Sequence, residues 1–155
     1  MIEDRNSKEY WDWRVKSHKN DEQKMIWYGE DWKNKALDLI VEQILTMFEG
    51  CTALDLGCGF GRFAQFFDPT LYLGVDFSPE MIKLAKQKYS NYTFEVGDIR
   101  EYTPKRQYDV IFEVMSGIDF ALDHKGFIDT FSPYATVAVI CIHPTDTLIH
   151  FKNLS

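Results

Sequence analysis

The sequence contains little of what would place it in several common classes of protein. Its 155 residues include only three cysteines and five prolines, and no apolar run approaches the ~20 residues of a membrane-spanning helix. Three cysteines without a CxxC pair predict free thiols rather than a disulfide framework or a zinc site. Acidic residues outnumber basic ones by 24 to 17, and a nucleic-acid-binding surface needs a basic stripe. We expect no metal, no nucleic-acid partner and no membrane partner.

The composition that is present predicts one folded domain over residues 1–155. Hydrophobic residues make up 45% of the chain and charged residues 26%, which is near the average of globular proteins. The first residues, MIEDRNSKEY, are acidic and polar, whereas a signal peptide is basic and then apolar. This start of the chain predicts a cytoplasmic protein.

Periodicity along the chain predicts alternating helices and strands. Apolar residues at spacings of three and four predict a helix over residues 31–49. Short apolar runs predict strands over residues 53–56, 72–75, 92–96, 108–115 and 136–142, with helices over residues 62–67, 79–89 and 126–131 between them. Such alternation implies a parallel sheet with helices on both faces. The aromatic residues 1–30 are expected to form either a lid or a packing arm.

The segment ALDLGCGFGRFAQFF, residues 53–67, contains the most informative motif. Gly57, Gly59 and Gly61 permit positive φ angles and a close approach of backbone to ligand, and the N–H groups of a following helix would face that ligand. Asp76 follows Asp55 by 21 residues, at the end of the second strand, where a carboxylate accepts both hydroxyls of a ribose. The motif predicts a nucleoside ligand; the alternative is a glycine-rich turn followed by a coincidental Asp.

Three motifs in order resemble a known family. The pattern Asp55-x-Gly57-x-Gly59-x-Gly61, then LGVDFSPEM with Asp76, then VGDIREY with Asp98, resembles the class I S-adenosylmethionine-dependent methyltransferases. The resemblance implies an α/β fold, a three-layer Rossmann-like sandwich with a mostly parallel sheet of order 3-2-1-4-5. It also implies S-adenosyl-L-methionine as the cofactor. The third glycine of a dinucleotide motif would fall at Arg62, which disfavours nicotinamide cofactors.

The resemblance implies a cofactor-binding role for individual residues. Asp55 and the turn Gly57, Cys58, Gly59 and Gly61 would hold the amino-acid end, Asp76 the ribose, Phe77 and Met81 the surroundings of the adenine, Asp98 the adenine amino group, and Ile99 the ring. The segment YWDWR, with Tyr10 and Trp11, resembles one that folds over the cofactor. The alternatives are that Phe77 and Met81 are core residues, that Asp98 only forms a turn, and that the N-terminal aromatics pack a helix.

Candidates for catalysis lie at the carboxyl ends of the fourth and fifth strands. Glu113 stands in the otherwise apolar strand YDVIFEVM, where an unpaired carboxylate is costly to bury, and it is also a candidate cofactor contact. His143 ends the fifth strand. Ser116, Asp119 and His124 lie nearby in sequence. For Glu113 and His143 an ordinary structural or solvated role is the alternative.

The expected acceptor is a small molecule. Residues 109–146 contain six acidic residues and one basic residue, which favours an amine, although a solvated acidic face is the alternative. Related enzymes that methylate DNA bases usually place Asn or Asp and two prolines after the fourth strand. This chain has Glu-Val-Met-Ser there, so a DNA substrate is not expected.

The end of the chain is shorter than the resemblance implies. Family members usually continue past the fifth strand with a helix and two antiparallel strands, whereas PTDTLIHFKNLS provides one returning antiparallel strand. Its outer edge would be open, which predicts a homodimer formed through the sheet edge.

The sequence therefore predicts a methyltransferase that acts on a small molecule. Two alternatives are a non-catalytic subunit or sensor that binds S-adenosylmethionine and an enzyme that uses this cofactor for other chemistry.

Overall fold

A mixed sheet forms the centre of the protein. The computed structural model describes residue 4 and residues 7–19, 31–115, 123–143 and 146–152. The strands in this part of the chain are β1 Ala53–Leu56, β2 Tyr72–Asp76, β3 Thr93–Val96, β4 Tyr108–Val114, β5 Ala135–His143 and β6 Asp146–Phe151. They lie side by side in the order β3-β2-β1-β4-β5-β6.

The pairing of the strands confirms the predicted topology. Strands β1 to β5 are parallel, and β6 returns antiparallel to β5, with Ile149 opposite Ile140. The order 3-2-1-4-5 and the returning last strand are both as predicted. Strand β4 ends one residue before the predicted Met115, because Met115 has a φ of 52°, which is incompatible with an extended strand.

Helices cover both faces of the sheet and make three layers. They are α1 Lys8–Ser17, α2 Asp31–Thr46, α3 Pro79–Lys88 and α4 His124–Phe131. Residues of α2 and α3 share one buried cluster with alternate strand residues such as Phe112 and Ile140. Phe127 and Phe131 of α4 form a second cluster on the opposite face. The predicted sandwich is therefore confirmed.

Local sequence signals set the ends of these helices. Ser78 caps α3 by accepting a hydrogen bond from the N–H of Met81, and Pro79 occupies the first helical position, as predicted. Helix α4 begins two residues before the predicted position, because Asp123 caps it through the N–H of Gly126. Helix α2 ends at Thr46, earlier than the predicted residue 49.

The helix predicted over residues 62–67 is absent. This segment forms only a single 3-10 turn, Ala64–Phe66. The sequence Asp68-Pro69-Thr70 follows, in which the proline disfavours helical backbone at Asp68, and the Asp68 carboxylate accepts from the N–H of Thr70 at 2.8 Å. Too few residues remain between Gly61 and this turn for an α-helix. The predicted helical N–H groups facing a ligand are therefore absent as well.

The N-terminal arm is described in part. Within the predicted arm of residues 1–30, α1 packs against α3, and residues 20–30 lie outside the described part. In the described ranges, no helix combines the length and apolar character that spanning a bilayer requires.

Candidate cofactor and acceptor site

The glycine turn after β1 is attached to the end of β2 by its backbone. The N–H groups of Gly57 and Cys58 both donate to the carbonyl oxygen of Val75, at 2.7 and 3.0 Å. Gly57 and Gly59 have φ angles of 77° and 55°, in the left-handed region that favours glycine. The turn therefore places bare backbone at the carboxyl ends of β1 and β2, where α/β sheets bind ligands.

Packing explains why the last residue of the motif, Gly61, is a glycine. Its φ is 81°, and a Cβ atom added there would lie 2.5 Å from Cε1 and 2.6 Å from Cζ of Phe94. Phe94 belongs to β3 and fills the core beneath the turn. Close contact with an aromatic ring thus accounts for this glycine, and its contact with the cofactor stays a prediction.

Asp76 is held in one orientation at the end of β2. Its Oδ2 accepts a hydrogen bond from the N–H of Gly59 and its Oδ1 one from the N–H of Ser78, both at 2.9 Å. Burial raises the pKa of Asp76 to about 6, although the two N–H donors act in the opposite direction. A carboxylate has about four acceptor positions, so two remain for further donors.

Asp55 lies deeper, in the middle of β1. Only 1% of its surface is exposed, and its Oδ2 accepts a hydrogen bond from the hydroxyl of Tyr72 at 2.6 Å. Burial raises the pKa of Asp55 to about 7; the bond from Tyr72 lowers it, while the charges of Asp76 and Glu113 raise it. Asp55 therefore changes its protonation near neutral pH and would be stabilised in its charged form by a cationic ligand group.

Helix α1 connects to the start of α3 beside this site. Asp12 Oδ1 accepts a hydrogen bond from the hydroxyl of Ser78 and lies 3.4 Å from the N–H of Glu80. Tyr10 is buried, and its hydroxyl accepts from Arg14 at 2.9 Å. Trp11 packs edge-on against Tyr10, with ring centroids 5.3 Å apart. The two predicted aromatic residues thus lie on a helix anchored next to Asp76.

The remaining predicted cofactor residues differ in their surroundings. Phe77 is half-buried and Met81 is buried. Ile99 packs against the buried cluster that contains Phe127 and Phe131 of α4. Asp98 accepts hydrogen bonds from Arg100 through both carboxylate oxygens, and these hold the pKa of Asp98 below its ordinary range. An adenine amino group would compete with Arg100 for Asp98.

Cys58 is buried beneath the turn. Burial raises the pKa of its thiol well above the ordinary value, which keeps the sulfur protonated and a poor nucleophile. Its Sγ lies 2.9 Å from where a Cβ on Gly74 would stand.

The predicted catalytic residues lie at the carboxyl ends of β4 and β5. Glu113 is fully buried and pairs in register with Cys141. His143 lies two residues after Cys141 on β5. Because side chains alternate along a strand, it points to the same face of the sheet as Cys141. Its ring lies 6.1 Å from the ring of His124, at the start of α4. The structure therefore brings His124 to His143; Ser116 and Asp119 lie outside the described residues.

Three of the six acidic residues behind the amine prediction have structural roles. Asp109 lies at the opposite end of β4, where it accepts from Thr52 and Thr136. Asp123 caps α4, and Asp129 pairs with Lys125. Asp123 immediately precedes His124, whose ring lies beside His143, and Asp146 pairs in register with His143, so both residues lie at the same end of the sheet as Glu113.

Three residues at the site were missed in the sequence. Asp12 stands inside YWDWR, but nothing in the sequence indicated its contact with Ser78. Tyr72 was assigned only to a strand. Gly74 offered a signal, because glycine inside a strand often marks a close approach of other groups; a Cβ there would lie 2.7 Å from Phe94 Cδ1.

Comparisons with known proteins define the class. A family model described as methyltransferase domain matches residues 53–135, which is more than half of the chain. The chain therefore belongs to this family, and its class is that of the class I S-adenosylmethionine-dependent methyltransferases.

Individual relatives match more narrowly. The malonyl-[acyl-carrier protein] O-methyltransferase 1 of Ilyobacter polytropus is 39% identical over 67 residues, which cover 38% of this chain and 25% of that protein. The chain thus matches about a quarter of the length of this curated relative.

Two solved structures show the same fold. The DhpI-SAM-HEP complex has a TM-score of 0.64 at 19% identity, covering 86% of this chain and 62% of that one. A methyltransferase from Thiobacillus denitrificans in complex with S-adenosyl-L-homocysteine has a TM-score of 0.54 at 20% identity, covering 68% and 47%. Together with the family match, these neighbours support S-adenosylmethionine as the cofactor.

The residues at the site fit this cofactor. Asp76 retains acceptor capacity for the two ribose hydroxyls, Gly57 and Gly59 present backbone without side chains, and Asp55 supplies a buried carboxyl near the turn.

Proposed function

We propose that this chain binds S-adenosylmethionine at the ends of β1 and β2 and supports methyl transfer to a small-molecule acceptor at the ends of β4 and β5. The cofactor supplies a methyl group on a sulfonium centre. The observation that carries the proposal is the fixed carboxylate of Asp76, which is oriented by Gly59 and Ser78 beside the glycine turn. In this position it accepts hydrogen bonds from both ribose hydroxyls.

The chain contributes mainly by holding the reactants. Methyl transfer is an in-line displacement, so most of the acceleration comes from fixing donor and acceptor in a near-attack geometry. Asp55 holds the cationic amino group of the cofactor, and α1 covers the site through the contact of Asp12 with Ser78. Glu113 and His143 orient the acceptor or take its proton.

We infer an oxygen acceptor rather than the amine that the acidic segment favours. Two of the carboxylates in that segment, those of Asp109 and Asp129, make structural contacts away from the acceptor end, and a third, that of Asp123, is engaged in capping α4. The pair of imidazoles, His124 and His143, suits an acid or hydroxyl, because imidazole both binds oxyanions and removes protons near neutral pH. The name of the relative from Ilyobacter polytropus also denotes an oxygen acceptor.

The free thiols support a cytoplasmic protein, and we propose that the activity lies there. Cys51, Cys58 and Cys141 all carry free thiols. Oxidising compartments favour disulfides over such thiols.

Binding is tested first, by calorimetry with S-adenosylmethionine and S-adenosylhomocysteine. Asp76→Asn keeps the shape of the side chain but removes its charge. Hydrogen bonds to a charged group contribute about 1.5–3 kcal/mol, so we expect affinity to fall about 10- to 150-fold. Asp129→Asn, which removes an equal charge from the exposed surface of α4, should bind as the wild type does. Asp76→Asn with affinity within twofold of wild type would show that the ribose lies elsewhere.

Turnover is tested next, with methyl-labelled cofactor and a panel of carboxylic acids, phenols and amines. Label in acids or phenols that falls strongly in His143→Ala supports the proposal. Label in amines alone would overturn the oxygen assignment. Binding of cofactor without any labelled product would favour the alternative of a non-catalytic binding subunit.

A further inference from the structure

At the outer edge of β6, the residues whose backbone groups point outward are uncharged, and none of them is proline. Lys152 donates its N–H to the carbonyl of Val137 of β5 at 2.8 Å. Backbone groups alternate in direction along an antiparallel strand, so those of residues 146, 148 and 150 also face β5. The N–H and C=O groups of Thr147, Ile149 and Phe151 therefore face outward. None of these three residues carries a charge or is proline, the usual protections of an exposed edge.

Apolar surface continues from this edge onto α2. Phe151 of β6 is 43% exposed, Ile40 of α2 is 45% exposed and Met47, in the turn that follows α2, is 66% exposed. Leu148, which is 39% exposed, points to the opposite face of the sheet from Phe151. Phe151 stacks on Phe48 in the turn that follows α2, with centroids 6.5 Å apart. Strand and helix together thus present one apolar surface.

The orientation of α2 places its exposed Ile40 toward β6. At 100° per residue, Ile40 lies on one flank of the helix and Asp38 lies on the opposite flank. The Asp38 carboxylate is 3.0 Å from the guanidinium of Arg62, next to the end of β1. The flank with Ile40 therefore faces away from β1, toward the edge strand.

We propose that a second copy of this chain pairs antiparallel with the β6 edge across a twofold axis at Ile149, joining two sheets into one. This register brings the outward-facing groups of Thr147 opposite those of the partner's Phe151, and Ile149 opposite the partner's Ile149. It also places the acidic Asp146 opposite the partner's basic Lys152, so that residue charge and backbone direction match in the same register. The apolar residues of α2 and β6 become buried between the copies.

The self-pairing of Ile149 gives a direct test. Residues directly opposite in a hydrogen-bonded antiparallel pair have Cα atoms about 5.5 Å apart, within disulfide range. Ile149→Cys should therefore form an intermolecular disulfide under mild oxidation. Leu148→Cys is the matched control, since two copies of residue 148 are diagonal neighbours about 7–8 Å apart and should cross-link much more slowly. Equal cross-linking of both variants, or none in Ile149→Cys, would overturn the register.

Sedimentation across the micromolar range measures the association itself. The wild type should approach twice 18.2 kDa. Thr147→Pro removes only an outward N–H, which an edge position tolerates, and should raise the dimer dissociation constant about tenfold or more through loss of the hydrogen bonds between the copies. Val96→Pro on β3, at the opposite edge of the sheet, should leave it unchanged.

A surface variant tests dimerisation without the risk that a folding defect in Thr147→Pro accounts for the result. Met47→Lys changes a residue already 66% exposed, so the monomer should keep its circular dichroism spectrum while dimerisation weakens. A wild-type protein that stays monomeric at every concentration, or a dimer that survives both Thr147→Pro and Met47→Lys, would overturn the proposal. These measurements need no cofactor, so their outcome is separate from that of the proposed methyl transfer.

Discussion

Replacing Gly61 with alanine tests whether glycine is needed at this position for packing or for cofactor binding. A residue with a Cβ pays roughly 1–2 kcal/mol for left-handed backbone, and Gly61 has a φ of 81°. The added methyl would also stand 2.5 Å from Cε1 of Phe94. Overpacking of this kind costs roughly 1–3 kcal/mol. We therefore expect Gly61→Ala to lower the free energy of unfolding by roughly 2–5 kcal/mol.

Gly50 provides the matched control. Its φ of 83° is nearly the same, and a Cβ added there would meet no atom within 4 Å. Gly50→Ala should therefore cost only the backbone contribution, roughly 1–2 kcal/mol. Urea denaturation of both variants measures the difference, which is the contribution of the contact with Phe94. Combining Gly61→Ala with Phe94→Leu should recover part of the loss.

Equal losses in the two alanine variants would refute the packing explanation. Calorimetry with S-adenosylmethionine on folded Gly61→Ala supplies the second readout. A loss of affinity without the extra loss of stability would assign Gly61 to the cofactor, as the sequence motif predicts.

Two further predictions concern Asp55 and Asp12. Between about pH 4 and pH 7, Asp55 carries a proton in the folded chain but not in the unfolded chain. The free energy of unfolding should therefore fall as pH rises through this range, and Asp55→Asn should flatten the fall in urea titrations. An unchanged slope would contradict the raised pKa of Asp55. Asp12→Ala removes the group that accepts the hydrogen bond of the Ser78 hydroxyl. This change should speed hydrogen exchange in α1 and weaken cofactor binding several-fold. The control Glu9→Ala, an exposed change on the same helix, should have neither effect. Unchanged exchange in α1 of Asp12→Ala would show that this contact does not hold the helix.

The arrangement of strands followed closely from the sequence because its causes are local. Buried parallel strands are short apolar runs, and each run here begins and ends near a turn residue. The cap of α3 was predictable for the same reason, since Ser78 and Pro79 act within one turn of helix. The glycine turn and Asp76 were predictable as a pair because their spacing follows from one strand, one turn and the next strand.

The short turn at residues 64–66 could not be read from periodicity. Phe63, Ala64 and Phe67 carry a helical spacing of apolar residues and are all buried. Asp68 and Pro69 stop the helix before it forms, and packing against the sheet fixes the aromatic side chains without it. A pattern of burial reports which residues face the core, not which backbone conformation brings them there.

The sequence by itself determined the fold class and the position of the glycine turn, because these depend on residue types at short, regular spacings, and its three motifs were enough to identify the family by resemblance. Only the tertiary structure decided the contact of Asp12 with Ser78, the packing of Gly61 against Phe94 and the distribution of the acidic residues between both ends of the sheet. These depend on groups that are far apart in the chain and meet only after the strands align. Distance in space, which spacing along a chain does not encode, is the physical reason for the difference.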